Sequence, residues 1–241
     1  MSPSKAEEIT DILREEILRG QYRAGERLPS ERDLSARFEA NRGAVREAVK
    51  KLEQLGIVDV KPGGVRIVPI EDATLEVLGH LMDLEEVPDP TLVGQIFEVI
   101  GAMISLSARS ALHNASDKQT EEMGNIVNDL IQKIDSGQDH YEGWRALGDL
   151  FTEINQNLIL RLIGNGLKIQ FVARLEATGI RPDIDKQRDR VLLNTMSEAI
   201  KKRDHQAVSN AIIGHFELLK EGFMEALDNK YPSESRRLTH A

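Results

Sequence analysis

Between Leu28 and Gly56 the chain admits few arrangements other than two short helices joined by a tight turn. Ser30 and Asp33, directly after Pro29, have the spacing of a capping-box-like helix start. Asn41 is a natural N-cap for a second helix. Beyond it Val45, Ala48, Val49, Leu52 and Leu55 recur at helical spacing and lay one apolar stripe along that helix. At about 100° per residue, Arg42, Arg46 and Lys50 form an adjacent stripe on its shoulder. A helix packed on one side and cationic along its exposed edge has the form of a DNA recognition helix.

The flanking segments extend this pair into a domain. Residues 5–19 carry Ile9, Ile12, Leu13, Ile17 and Leu18 on one side, ending at Gly20, and are predicted to form an amphipathic helix. Residues 21–28 read as a loop punctuated by Gly25. After Gly56, the β-branched runs Ile57–Val60 and Val65–Val68 flank Lys61-Pro62-Gly63-Gly64, the pattern of a β-hairpin. Three helices and a hairpin make a winged helix-turn-helix, assigned to residues 1–70. From residue 71 to 229, long apolar periodicities predict helices near 72–84, 90–112, 117–136, 140–159, 160–178, 184–202 and 204–228, an all-α effector-binding and dimerisation domain. The polar stretch 230–241 reads as a flexible tail. The expected fold class is thus mainly α, a winged helix-turn-helix followed by a helical bundle.

Charge bears on this reading. The formal net charge is −9, which by itself disfavours binding to phosphate. The acidity is uneven, however. Residues 1–70 carry 13 Lys and Arg against 12 Asp and Glu, whereas residues 71–241 carry 18 against 28. Local arginines in the first part are therefore not overwhelmed. The absence of cysteine excludes disulfides and thiolate metal sites. The N-terminus lacks the apolar core of a signal peptide. The most membrane-like run, Val99 to Ala108, falls short of the roughly 20 residues needed to span a bilayer. A cytoplasmic protein with no membrane partner is expected. No Ser/His/Asp set, phosphate loop or acid pair beside a histidine supports an enzyme, so no catalytic residue is assigned.

Helix 5–19, Gly25-Glu-Arg-Leu-Pro-Ser-Glu-Arg-Asp-Leu34, Asn41-Arg-Gly-Ala-Val-Arg-Glu-Ala48, Leu52 to Gly56 and the hairpin, in that order, resemble the GntR family of bacterial transcription regulators. The helix count of the remainder, with Asn157 opening a helix and Gly214-His215, resembles its FadR-like branch. The resemblance implies a homodimer on a double-stranded DNA operator, with the recognition helix in the major groove and the wing in the adjacent minor groove. It places Arg32, Arg42 and Arg46 at the family's DNA-contacting arginines, supported by Asn41 and Lys50 and by the wing glycines Gly63 and Gly64. Arginine's planar fork suits both guanine edges and phosphates. Pro62 stands where that branch has a wing histidine, so the wing contact differs.

Many bundles of this branch hold a metal through Asp-x-x-x-His and two later histidines. Here those positions are Trp144, Gly148, a residue at or beside Leu193, and His215, so only His215 remains. A shifted acidic site using Asp149, Glu153 and His215 is the alternative, but no metal and no cofactor are expected. The resemblance implies instead a small-molecule effector, first an acyl-CoA or fatty acid and second a small carboxylate. The candidate lining residues are Arg109, Trp144, Phe151, Phe171, Arg174 and His215. Gly101 and Glu221 replace an arginine and an aromatic of that branch. His80, His113, His140, His205 and His240 are read as surface residues.

Overall fold

The computed structural model of this protein describes residues 3–85, 87–138 and 140–231. It is mainly helical and divides into two compact units: Met1–Glu86 with Ile169–Arg174, and Val87–Lys168 with Leu175–Ala241. Most of the segment expected to form a tail, 232–241, lies outside the described residues.

The first unit opens with α1 (Lys5–Leu18), started by a full capping box between Ser4 and Glu7. The helix pair follows as α2 (Glu31–Arg37) and α3 (Arg42–Gln54), joined through Phe38–Asn41 with Glu39 in the left-handed region at φ 50°. Strands β1 (Val58–Lys61) and β2 (Gly64–Ile67) pair antiparallel, Lys61 opposite Gly64, with Pro62 and Gly63 at the tip. Proline presets the first corner of the turn and Gly63, at φ 105°, accepts the conformation the next corner needs. Ile9, Leu13, Leu34, Val45, Ala48, Leu52, Ile57 and Ile67 form the core, so the apolar stripe of α3 is buried as its spacing requires.

Two details differ from the sequence reading. The loop before α2 runs as a third strand beside β2: Gly25 N–H donates to Ile67 O at 2.9 Å, Ile67 N–H to Glu26 O at 2.9 Å and Leu28 N–H to Val65 O at 3.0 Å. With no alternation of its own, it is ordered only by the edge it meets. The helix expected over 72–84 shrinks to a single 3₁₀ turn at Ile70–Asp72 and α4 (Val77–Met82). Between them Thr74 is drawn to the end of α3, its N–H and hydroxyl both donating to Leu55 O. Val77 joins the core of this first unit, which thus reaches past residue 70.

The second unit is built on α5 (Pro90–Asn114), α6 (Asp117–Asp135), α7 (Tyr141–Asn155), α10 (Lys186–Lys202) and α11 (His205–Lys230). The polar residues Asp89, Ser116, Asp185 and Asp204 cap four of these helices, which is why their starts were legible. Their shared core includes Leu112, Met123, Leu130, Leu147, Leu193 and Ile212. Helices α5 and α11 lie antiparallel and close, because small residues line the contact. The Ser105 and Ser209 hydroxyls bond at 2.6 Å, and a Cβ on Gly101 would sit 2.8 Å from Phe216 Cβ. Helix α5 is apolar over more than the Val99–Ala108 run and is long enough to cross a bilayer, yet its Ala108, Ala111 and Leu112 are buried in this helical core.

The expected helix 140–159 ends at Asn155, where Gln156 turns left-handed at φ 51° and Asn157 caps α8 (Leu158–Leu167), accepting Leu160 N–H at 3.1 Å. The predicted helix 160–178 is interrupted by a π-helical turn at Lys168–Val172 before α9 (Ala173–Ala177).

Candidate nucleic-acid interface

The exposed edge of the first unit is assembled from three neighbouring elements. At the N-terminus of α3, Asn41 Oδ1 accepts Ala44 N–H at 2.9 Å, so this side chain is committed to holding the helix start. The next residues, Arg42 and Gly43, are exposed there, with Arg46 and Lys50 one and two turns on. A helix N-terminus with free N–H groups adds positive potential where arginines already stand.

Arg46 is preorganised. Its Nε lies 2.9 and 3.0 Å from the two carboxylate oxygens of Glu31, the first residue of α2. The hydrogen bond from Arg46, with added charge from Arg42, holds the Glu31 carboxyl below its ordinary range. The Arg46 side chain is 64% exposed and that of Glu31 40%, and the Arg46 terminal nitrogens are left for another acceptor. Arg32 is 82% exposed, beside Asp33 at 3.7 Å, a loose pair that a phosphate replaces at small cost. Ser30 caps α2 and donates its hydroxyl to Asp33 Oδ2 at 2.6 Å, fixing the element that presents Arg32.

At the wing, Gly63 and Gly64 both have positive φ, 105° and 128°. A Cβ on Gly64 would meet nothing, so its role is conformational. Beside the tip lies a cation that sequence reasoning missed. The Arg27 guanidinium is 3.9 Å from where a Cβ of Gly63 would be, and Arg27 pairs by its backbone with Arg66. Arg66 Nη1 donates to Gly25 O at 2.8 Å, bracing the added strand. Arg27 is exposed and, among the described residues, has no carboxylate within ion-pair distance. Its only sequence signal was a basic residue two places before Pro29; its position depends on strand pairing that no local pattern announces.

The bundle's six candidate residues do not gather at one place. Phe151 is wholly buried in the helical core, and Arg109 is exposed on α5. Phe171 and Arg174 fall in the segment that belongs to the first unit. There Arg174 Nε binds both oxygens of Asp83, at 3.0 and 2.9 Å. Only Trp144 and His215 meet, their rings stacked 3.5 Å apart between centroids at 16°.

His215 is not turned to Asp149 or Glu153, which are exposed. Its Nδ1–H donates to Asp189 Oδ1 at 2.8 Å, and Asp189 is fully buried. The other carboxylate oxygen lies 3.5 Å from His140 Nε2, so His140, read as a surface residue, is partly buried and turned toward Asp189. Burial pushes the Asp189 carboxyl up. Hydrogen bonds and charge from His140 and His215 outweigh it and hold the group down to about 2. Burial pushes the His215 imidazole below its ordinary value, against the pull of Asp189. The arrangement is a buried His–Asp–His relay faced by an indole, and among the described residues no group of three or more metal-binding side chains is placed to hold an ion. His113 and His205 meet edge to face, 5.4 Å apart, at the other histidine pair. His240 lies outside the described residues.

Comparison with known proteins agrees with the edge described first. Residues 5–67 match the model of the bacterial regulatory proteins of the gntR family. The Uxu operon regulator of Haemophilus influenzae is 28% identical over 93% of this chain and 84% of its own length. The transcriptional repressor NanR of Citrobacter rodentium is 26% identical over 87% of this chain and 82% of its own. The fold is shared with Lar, a structure titled as controlling expression of the Listeria monocytogenes agr system, at a TM-score of 0.51 and 14% identity, covering 93% of this chain and 99% of Lar's. These relatives are transcription regulators and not enzymes. The family match falls on the winged helix-turn-helix, and the transcription regulators named above align along most of the remainder, so the likeness to DNA-binding regulators of this family extends beyond residues 5–67.

Proposed function

We propose that this regulator binds a pseudo-palindromic operator as a homodimer, each copy reading one half-site, and that its bundle senses a small-molecule effector. The observation that carries the DNA part is the exposed line Arg32, Arg42, Arg46 and Lys50 on and beside a capped α3, with Arg27 at the wing tip. Arg42 and Arg46, one turn apart, reach successive positions in a major groove, and Arg32 and Arg27 serve phosphates to either side. One module offers few base contacts, which is the physical reason for pairing two.

The resemblance to the FadR-like branch favours an acyl-CoA or fatty acid as effector. A specific feature favours the second reading, a small polar ligand such as a carboxylate. Gly101 takes the place of the branch's arginine, and Phe216 closes directly onto it, leaving no room for a larger side chain. In addition, Trp144 Nε1 is buried without a hydrogen-bond partner, a donor suited to a compact polar molecule.

Selection from a randomised duplex pool tests the DNA reading: wild-type protein enriches a two-fold symmetric site, and Arg42→Ala loses preference at one position of each half. Enrichment of no sequence, or an unchanged motif in the variant, overturns it. Thermal melting against acyl-CoAs and small carboxylates sorts the effectors, since a ligand specific to the native state raises the midpoint by mass action.

A further inference from the structure

His113 and His205 are brought together where α5 ends and α11 begins. His113 sits in the last turn of α5 and is exposed; His205 is the first residue of α11 and is half-buried. Their rings meet edge to face, 5.4 Å between centroids and 88° between planes. Among the described residues no ring nitrogen of either histidine is hydrogen-bonded, so neither imidazole is committed elsewhere. The backbone that carries them is pinned. Arg203 Nη1 donates to Ala115 O at 3.0 Å, just past the end of α5, and Nη2 to Asp117 Oδ1 at 2.9 Å. Asp204 Oδ1 accepts Gln206 and Ala207 N–H at 3.1 and 3.0 Å and fixes the start of α11. The spacing of the two side chains is thus set by the fold.

We propose that His113 and His205 form a surface site for a divalent transition metal, zinc or copper(II), with water filling the remaining positions. The spacing fits. Two imidazoles on one tetrahedral ion, each with its nitrogen about 2.1 Å away, have ring centroids about 5 Å apart. Turning either ring about its Cβ–Cγ bond leaves its centroid nearly in place, so each presents a nitrogen while the 5.4 Å separation is kept. Imidazole suits zinc and copper, whereas magnesium and calcium take oxygen ligands. The local charge admits a cation: Arg203 is paired with Asp117, and Asp204 adds a negative charge next to His205. Two protein ligands make an open, exchangeable site rather than a closed structural one. A bound ion ties the end of α5 to the start of α11. The pair lies about 15 Å along α11 from His215, at about 1.5 Å per residue, and is separate from the buried relay. Neither the operator reading nor the effector reading is needed for it.

Calorimetric titration of the full-length, tag-free protein with zinc chloride tests this. Wild type is expected to bind one ion in the micromolar range. His113→Gln and His205→Gln are each expected to weaken binding by about 10-fold or more, and His80→Gln, on α4 outside the pair, to leave it unchanged. Melting curves without metal establish that each variant folds, and the two histidines are tested independently, so one folded variant decides. Zinc is expected to raise the melting midpoint of wild type and to leave that of either variant nearly unmoved, since only a ligand held by the native state stabilises it. Paramagnetic resonance of the copper(II)-loaded protein gives a second readout: coupling to two nitrogens in wild type and to one in either variant. Wild type that binds no zinc below millimolar concentration overturns the proposal. So does undiminished binding in either folded variant, which places the ion elsewhere in the protein.

Discussion

Arg46 of α3 is gripped by Glu31 of α2, its Nε within 3.0 Å of both carboxylate oxygens. The pair spans the turn between the two helices, so the arginine proposed above to face DNA is held in place by an acid of the preceding helix. The grip is exposed and correspondingly weak. Its effect is on orientation and on local potential: it keeps the long side chain from sampling other rotamers, and it sets a negative charge beside the groove.

Glu31→Gln removes that charge and releases Arg46. Non-specific DNA affinity is expected to rise several-fold, with the slope of log affinity against log salt steepening by up to about 1, the signature of one further phosphate contact. Anisotropy titrations on a random duplex from low to moderate salt check this. An unchanged slope means that Arg46 makes no phosphate contact when freed.

Arg42 and Arg27 are expected to fail in different ways. Arg42→Ala, at the groove-facing start of α3, costs about 1–3 kcal/mol on the operator and relaxes one position of the site. Arg27→Ala, beside the wing tip, weakens binding evenly across sequences and lowers the salt slope by about 1. Sequence-selective loss in the Arg27 variant reassigns that residue to base reading.

The buried relay makes stability depend on acid. Asp189, held down to about 2 from an ordinary 3.8, takes up its proton later in the folded chain than in the unfolded one. Its contribution is present above pH 3.8 and is lost as pH falls toward 2, amounting to about 2 kcal/mol. His215, pushed below its ordinary 6.5 by burial, works in the same direction at higher pH: the unfolded imidazole protonates first, so stability declines as pH drops below 6.5. Urea unfolding in pH steps is expected to show both limbs. Asp189→Asn removes the lower one and keeps the upper. Stability that stays level from pH 7 to 5 contradicts the burial of a neutral His215.

Two glycines are placed where a methyl group does not fit. Gly101→Ala drives a Cβ to 2.8 Å from Phe216 Cβ between α5 and α11, and is expected to cost about 1–3 kcal/mol. Gly56→Ala imposes a side chain at φ +73° and brings it 3.0 Å from Thr74 N, where backbone cannot yield. Its expected loss is at least as large. Thermal or urea unfolding measures both, and a variant as stable as wild type shows that the helices or the loop can part there.

The local sequence was enough to determine the pieces that carry their own signals. Ser30, Asn41, Ser116, Asp185 and Asp204 mark helix starts because a short side-chain oxygen satisfies free N–H groups there, and the stripe of α3 declares its buried side. The exposed shoulder of Arg42, Arg46 and Lys50 follows from that stripe by helical geometry alone. Only the tertiary structure decided what depends on residues far apart in the chain. Residues 25–28 become a strand because β2 offers an unpaired edge, which brings Arg27 to the wing. Asp189, His140 and His215 meet because three helices converge, and nothing in the spacing of 140, 189 and 215 announces it. Phe171 and Arg174 leave the bundle because a π turn and the Asp83 carboxylate redirect them. A helix start is a contest among neighbouring groups and can be read from neighbours; a buried relay or an added strand is settled by packing, which joins residues with no local relation.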